Sequence, residues 1–245
     1  MARYQIIFSY DGTRFVGSQR QLNSRTVQSE LEKALRKIQW KENSILLAGR
    51  TDSGVHASGQ VAAFDLEWRH SLEALQNALN AELPADMAVR EVRMTRDDFH
   101  PRFEARSRCY RYRLFCSPTR DPLQERYAWR VWPAVADLQE LDGIWLGDHD
   151  FAAFGSPPRK GSSTERMVLA ARWQAIEDEW QFEIRANAFL YLMVRKIVHA
   201  QVAVGQGRLP VRELIRALEE QTELPSGLAP AHGLTLVEVR YDEMD

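Results

Sequence analysis

Gly49-Arg50-Thr51-Asp52-Ser53-Gly54-Val55-His56-Ala57 places one carboxylate between an arginine and a glycine turn, directly after the apolar run Ile45-Leu46-Leu47-Ala48. The run reads as a short buried strand over 45–49, and the small residues beyond it let the backbone turn sharply with Asp52 at the strand's exit. Strand exits often line clefts, so Asp52 is the first candidate for chemistry. An ordinary structural explanation stands beside this one. In an Asp-x-Gly turn the carboxylate commonly bonds a nearby backbone N–H while the glycine turns left-handed.

Upstream of this stretch, Tyr4-Gln5-Ile6-Ile7-Phe8-Ser9-Tyr10 reads as a strand stopped by Asp11-Gly12. Thr26 suits a helix N-cap, and Val27, Leu31, Ala34, Leu35 and Ile38 form an apolar stripe at helical spacing. Downstream come a strand over 60–66, a helix capped by Ser71 that carries Leu72, Leu75, Ala78 and Leu79, and a strand over 87–94. The order is β-α-β-β-α-β.

The second half repeats that order. Over 107–116, Tyr110, Tyr112 and Leu114 share one face of a strand while Arg111 and Arg113 share the other, so one face is dry and one is charged. A helix over 136–146 is expected next. Strands over 167–177 and 179–186 then meet at the turn Glu177-Asp178-Glu179. A long helix over 189–204 carries the stripe Phe189, Leu192, Met193, Ile197, Ala200 and Val204. A shorter helix over 211–220 and a strand over 234–241 close the chain. The predicted fold is α+β: two ferredoxin-like halves, 1–105 and 106–245, joined into a largely antiparallel mixed sheet with helices on one side and a central cleft.

With 245 residues and 44% hydrophobic content the chain has material for a real core, and no run approaches the ~20 apolar residues of a membrane span. Met1-Ala2-Arg3-Tyr4-Gln5-Ile6-Ile7-Phe8 lacks the long apolar region of a secretory signal, so a cytoplasmic location is expected. Cys109 and Cys116, seven residues apart on one strand, would lie about 23 Å from each other on opposite faces and cannot bond. The six histidines show no HxH or HExxH spacing and the cysteines no CxxC, so no metal site is expected.

A net charge of −2 argues against coating nucleic acid through bulk positive charge, but arginines cluster locally. Arg96, Arg102, Arg106, Arg108, Arg111 and Arg113 form one group; Arg159, Lys160, Arg166 and Arg172 form a second. Either group is ordinarily a solvated face. Tyr110 and Tyr112, interleaved with the first, turn the reading towards RNA, where phosphates need cations and splayed bases need aromatic planes. The irregular stretch 155–164 is rich in Pro, Gly, Ser and basic residues, which suits either a mobile loop over a polyanion or a common surface loop.

The nine-residue string at 49–57 closely resembles the signature of the tRNA pseudouridine synthase A family, and the likeness extends along the chain. Tyr10-Asp11-Gly12-Thr13-Arg14-Phe15-Val16-Gly17-Ser18-Gln19-Arg20-Gln21 resembles the family's opening motif, followed by Arg25-Thr26-Val27-Gln28. Further blocks match in order at 97–103, 108–112, 187–189, 193–198 and 233–236. One departure is visible: Ser18 stands where the family usually has tryptophan.

The resemblance implies isomerisation of uridine to pseudouridine at positions 38, 39 and 40 in the anticodon stem-loop of tRNA, without a cofactor, by a homodimer. It makes Asp52 the catalytic nucleophile or anionic base. It pairs Arg195 with Asp52, stacks Tyr110 on the target uracil, and gives Arg50 the task of holding the flipped nucleotide. From pattern alone, Arg195 lies off the apolar stripe and reads equally as a solvent-facing residue, and Tyr110 reads as a core tyrosine. His56 reads as a histidine packed beneath a turn and is left out of the catalytic set. The alternative function is a non-catalytic RNA-binding module of two ferredoxin-like units.

Overall fold

A computed structural model describes residues 1–157, 159 and 161–242. Its ten strands pair in a largely antiparallel, mixed pattern, with four α-helices and five short 3-10 helices among the described residues. The expected α+β class holds. The chain divides into two compact units, one of Met1–Arg106 with the segment from Leu236 onward, the other Ser107–Thr235. The closing strand, placed by the sequence in the second half, thus falls mostly in the first unit.

In the first unit β1 (Ala2–Tyr10) lies between β3 (His56–Leu66) and β4 (Met87–Thr95), antiparallel to both. Tyr4, Ile6, Phe8 and Tyr10 are all buried, as the alternation requires. Strand β2 (Leu46–Leu47) is shorter than the 45–49 expected and pairs with Ala62 and Ala63 of β3. Farther along the same strand, β10 (Leu234–Arg240) is β3's neighbour. The two backbones approach so closely that a Cβ on Gly59 would meet the Val237 carbonyl oxygen at 2.2 Å.

Helix α1 (Val27–Lys37) starts at Thr26, whose hydroxyl accepts from the Ser29 N–H while the Ser29 hydroxyl accepts from the Thr26 N–H, a reciprocal cap. Val27, Leu31, Ala34 and Leu35 of its stripe are buried while Ile38, just past its end, is half-buried; Glu32 is buried too and is satisfied by Arg20, Gln28 and the Ile45 N–H. Helix α2 (Leu72–Glu82) begins at Ser71, which caps the Ala74 N–H. It buries Leu75 and Leu79 completely, each contributing about 1.5–3 kcal/mol. Asn80 ties α2 to β4 by bonding both the N–H and the carbonyl of Val89.

In the second unit β5 (Ser107–Cys116) pairs antiparallel with β9 (Glu179–Ala186), β9 with β8 (Glu165–Ile176), and β8 with β7 (Gly147–Asp150). β6 (Trp129–Val131) runs parallel to the end of β5. The dry and charged faces of β5 are as expected. Tyr110, Tyr112 and Leu114 are buried, whereas Arg111 bonds Glu183 and Arg113 bonds Glu179 with both carboxylate oxygens at 2.7 Å. Cys109 and Cys116 are not joined in a disulfide.

Two expected helices differ. Over 136–146 the chain forms only a 3-10 segment, Gln139–Trp145. Leu138 and Leu141 bury three residues apart, Gly143 weakens a longer helix, and Asp142 turns to accept from the Trp173 N–H at 2.6 Å. The helix expected over 189–204 starts late, as α3 (Met193–Gly205), because Leu192 is left-handed with φ 65°. The residues before it are held elsewhere: Phe189 meets Tyr110 edge-on and Tyr191 exchanges backbone bonds with Ser156. Helix α4 (Val211–Glu219) follows. Trp145 and Trp173, both fully buried, donate their indole N–H groups to the single oxygen of Gln201 on α3.

Candidate active site

The turn after β2 is braced from beneath by buried polar groups. Gln60, in the apolar strand β3 and wholly buried, donates from its side-chain amide to the Gly49 carbonyl at 3.0 Å. The Ser18 hydroxyl accepts from the Thr51 N–H at 2.8 Å, and the Ser18 N–H donates to the Thr51 carbonyl at 3.0 Å. The Tyr10 hydroxyl lies 2.8 Å from that of Thr51. Burial drives the Tyr10 pKa up to about 12, so it stays a neutral phenol. The Phe15 carbonyl accepts from the Gly54 N–H at 3.3 Å and from the Ser53 hydroxyl at 3.2 Å.

Positions 49, 51, 53 and 54 are therefore fixed from below, and the side chains between them differ in exposure. Thr51 is buried, Asp52 half-buried and Arg50 exposed. Gly54 at φ 80° and Gly17 at φ 78° supply left-handed turns that other residues rarely adopt. His56 is packed as expected. Its Nδ1 accepts from the Gly12 N–H at 2.9 Å, which requires a lone pair there and bars that nitrogen from donating to Asp11 Oδ1, 3.2 Å away.

In the second unit Tyr110 is buried on β5 opposite Ile184, with its ring edge-on to Phe189 at 5.0 Å. Arg195, on the first turn of α3, is half-buried, and its Nε donates to the Ala229 carbonyl at 2.8 Å. The neighbouring Pro230 carbonyl accepts from the Tyr112 hydroxyl at 2.8 Å. Two consecutive carbonyls thus gather Arg195 and the tyrosine two places along from Tyr110. Burial raises the Tyr112 pKa well above 10, against the opposing pull of the Arg195 charge. Arg50 and Asp52 stand on one turn of the first unit, and Tyr110 and Arg195 belong to the second.

The arginine-rich run 96–113 is largely neutralised. Arg96 pairs with Asp98 and Glu104, Arg106 with Asp242, Arg111 with Glu183 and Arg113 with Glu179, while Arg108 donates to the Asn187 carbonyl. The ordinary explanation, a solvated face of ion pairs, describes most of it. Of the stretch 155–164, Pro158 and Lys160 lie outside the described residues. No group of three or more His, Cys, Asp or Glu able to hold a metal occurs among the described residues, and none of their helices is long and apolar enough to cross a membrane.

Comparison with known proteins matches residues 6–104 and 144–242 to a family model described as tRNA pseudouridine synthase. A tRNA pseudouridine synthase A of Limosilactobacillus fermentum is 39% identical over 250 residues, spanning 99% of this chain and 97% of its own. The protein of that name from Chloroflexus aurantiacus is 40% identical over 252 residues, covering 98% of this chain and 89% of the relative. That from Lactococcus lactis is 39% identical over 249 residues, covering 99% and 98%.

Proposed function

This chain belongs to the tRNA pseudouridine synthase family, a family of isomerases, and from that premise we propose that it converts uridine to pseudouridine at positions 38, 39 and 40 of the tRNA anticodon stem-loop. The observation that carries the reading is the braced turn, which presents Asp52 beside Arg50 within the motif that resembles the family signature.

The reaction breaks the N1–C1′ bond, turns the uracil while it is held, and joins C5 to C1′. The hydrogen on C5 leaves as a proton and N1 gains one, so nothing is oxidised or reduced. An ionised Asp52 serves either as a nucleophile or as an anion that steadies the sugar cation. In a closed site desolvation would disfavour its charge, and a permanent cation offsets this. Arg195 takes that role, with Ala229 fixing its Nε. Tyr110, whose ring packs edge-on against Phe189, stacks on the uracil, and its hydroxyl assists the loss of the C5 proton. A stem uridine must leave the stack to be reached, at a cost of a few kcal/mol, and Arg50 holds the phosphate of the flipped nucleotide. The enzyme works as a cytoplasmic homodimer with tRNA held across both subunits, a reading that rests on the family resemblance.

The test is tritium release from tRNA carrying [5-³H]uridine, comparing wild type with Asp52→Asn. Release by wild type, none by the variant, and equal tRNA binding by both are expected. Tight tRNA binding without release by wild type would overturn the reading in favour of an RNA-binding module.

A further inference from the structure

Ser18 is fully buried in a loop that is otherwise mostly exposed from Thr13 to Asn23. Every polar backbone group it owns is used: its N–H donates to the Thr51 carbonyl, and its carbonyl accepts from the Gln28 N–H at 2.9 Å, which anchors it to the start of α1. Its hydroxyl is the acceptor for the Thr51 N–H. Thr51 is thereby gripped on both sides of its own peptide unit by one residue. The approach is close, since a Cβ on Gly17 would stand 3.0 Å from the Thr51 carbonyl oxygen and 3.7 Å from the Asp52 carbonyl carbon.

We propose that Ser18 is a positioning residue for Asp52, acting through Thr51. This rests on the functional reading above, in which Asp52 is the reacting carboxylate. Three features set the direction in which Asp52 leaves the turn: the Gly49 carbonyl held by Gln60, the Thr51 peptide held by Ser18, and the Thr51 hydroxyl held by Tyr10. Of these only the Ser18 hydroxyl contacts the Arg50–Thr51 amide, the rigid peptide plane between the residues that carry the Arg50 and Asp52 side chains. Removing it leaves the Thr51 N–H buried without that acceptor, and the turn must shift to find another. Misplacement of a reacting group by about 1 Å is worth about a hundredfold in rate, so a small shift reads out in turnover before it reads out in binding.

Steady-state and single-turnover pseudouridine formation on full-length tRNA, with wild type, Ser18→Ala and Ser18→Cys, tests this. Ser18→Ala is expected to lower kcat tenfold to a hundredfold, with KM for tRNA within about twofold of wild type. Ser18→Cys, nearly isosteric with a weaker acceptor, is expected to fall between the two. If Ser18→Ala does not fold, the cysteine variant carries the comparison alone. Wild-type kcat in the variants, or a loss confined to KM, would overturn the assignment. A wild-type protein that forms no pseudouridine would overturn the functional reading and this assignment with it.

Discussion

Arg195 and Ala229 bond to each other twice, the arginine Nε donating to the Ala229 carbonyl at 2.8 Å and the Ala229 N–H donating to the Arg195 carbonyl at 3.2 Å. The segment after α4 is thus stitched to the first turn of α3 at the residue that carries the guanidinium. The Nε–H of the guanidinium is thereby held by a backbone carbonyl, which fixes the position of the group.

Arg195→Lys keeps the charge and loses the Nε–H that Ala229 holds, so the cation is no longer aimed. On the proposed mechanism kcat falls by about a hundredfold or more while tRNA affinity changes little. Single-turnover assays with a parallel filter-binding measurement check this, and near-full turnover would remove Arg195 from the site.

Tyr110→Phe retains the ring and its edge contact with Phe189 and loses only the hydroxyl. Base stacking and tRNA affinity are expected to persist while tritium release slows. Equal single-turnover rates for the two proteins would show that the phenol takes no part in proton loss.

Gly12→Ala would push a methyl group to 2.1 Å from the Val55 carbonyl oxygen, against backbone that cannot give way without moving the 52–55 turn. Loss of stability by about 2–4 kcal/mol is expected, together with loss of activity in whatever remains folded. Urea denaturation and the tritium assay measure the two effects.

His199 and His232 are both pushed below the ordinary histidine value of 6.5, chiefly by burial. The unfolded chain therefore binds more protons than the folded one between 6.5 and the lowered folded values. Their contribution to stability is whole above about pH 6.5 and is lost as the pH falls through the folded values. Denaturation midpoints should decline over that window, and His199→Gln should flatten part of the decline. A wild-type midpoint constant between about pH 7 and pH 5.5 would contradict this.

What could be read from the sequence follows the strength of the local signal. β5, with three apolar residues against two arginines, and α1 and α2, each opened by a hydroxyl cap, stand where periodicity and capping put them. β7 is Gly-Asp-His-Asp, which carries no strand pattern, and it forms because β8 offers it an edge. The late start of α3 was illegible for a related reason: Phe189 and Leu192 have helical spacing, yet Phe189 is committed to Tyr110 and Leu192 turns left-handed. At the site, Asp52 and its turn were plain because they are contiguous. The brace beneath was not, since Tyr10, Ser18 and Gln60 come from separate places in the chain. Gln60 alone gave a hint, as a polar residue heading the apolar run Val61-Ala62-Ala63-Phe64.

The pairing of β10 with β3 has a consequence for synthesis on the ribosome. The residues from Leu236, which add a strand to the first unit's sheet, are made only after all of Ser107–Thr235. Until they emerge, the backbone edge at Ser58 and Gly59 has no strand to receive it, although the remainder of that unit was translated long before. At about 5–20 residues per second, the 129 residues of Ser107–Thr235 take roughly 6–26 s to add. Throughout that interval the nascent chain carries an open sheet edge, a few residues beyond the Asp52 turn, that the strand from Leu236 later covers.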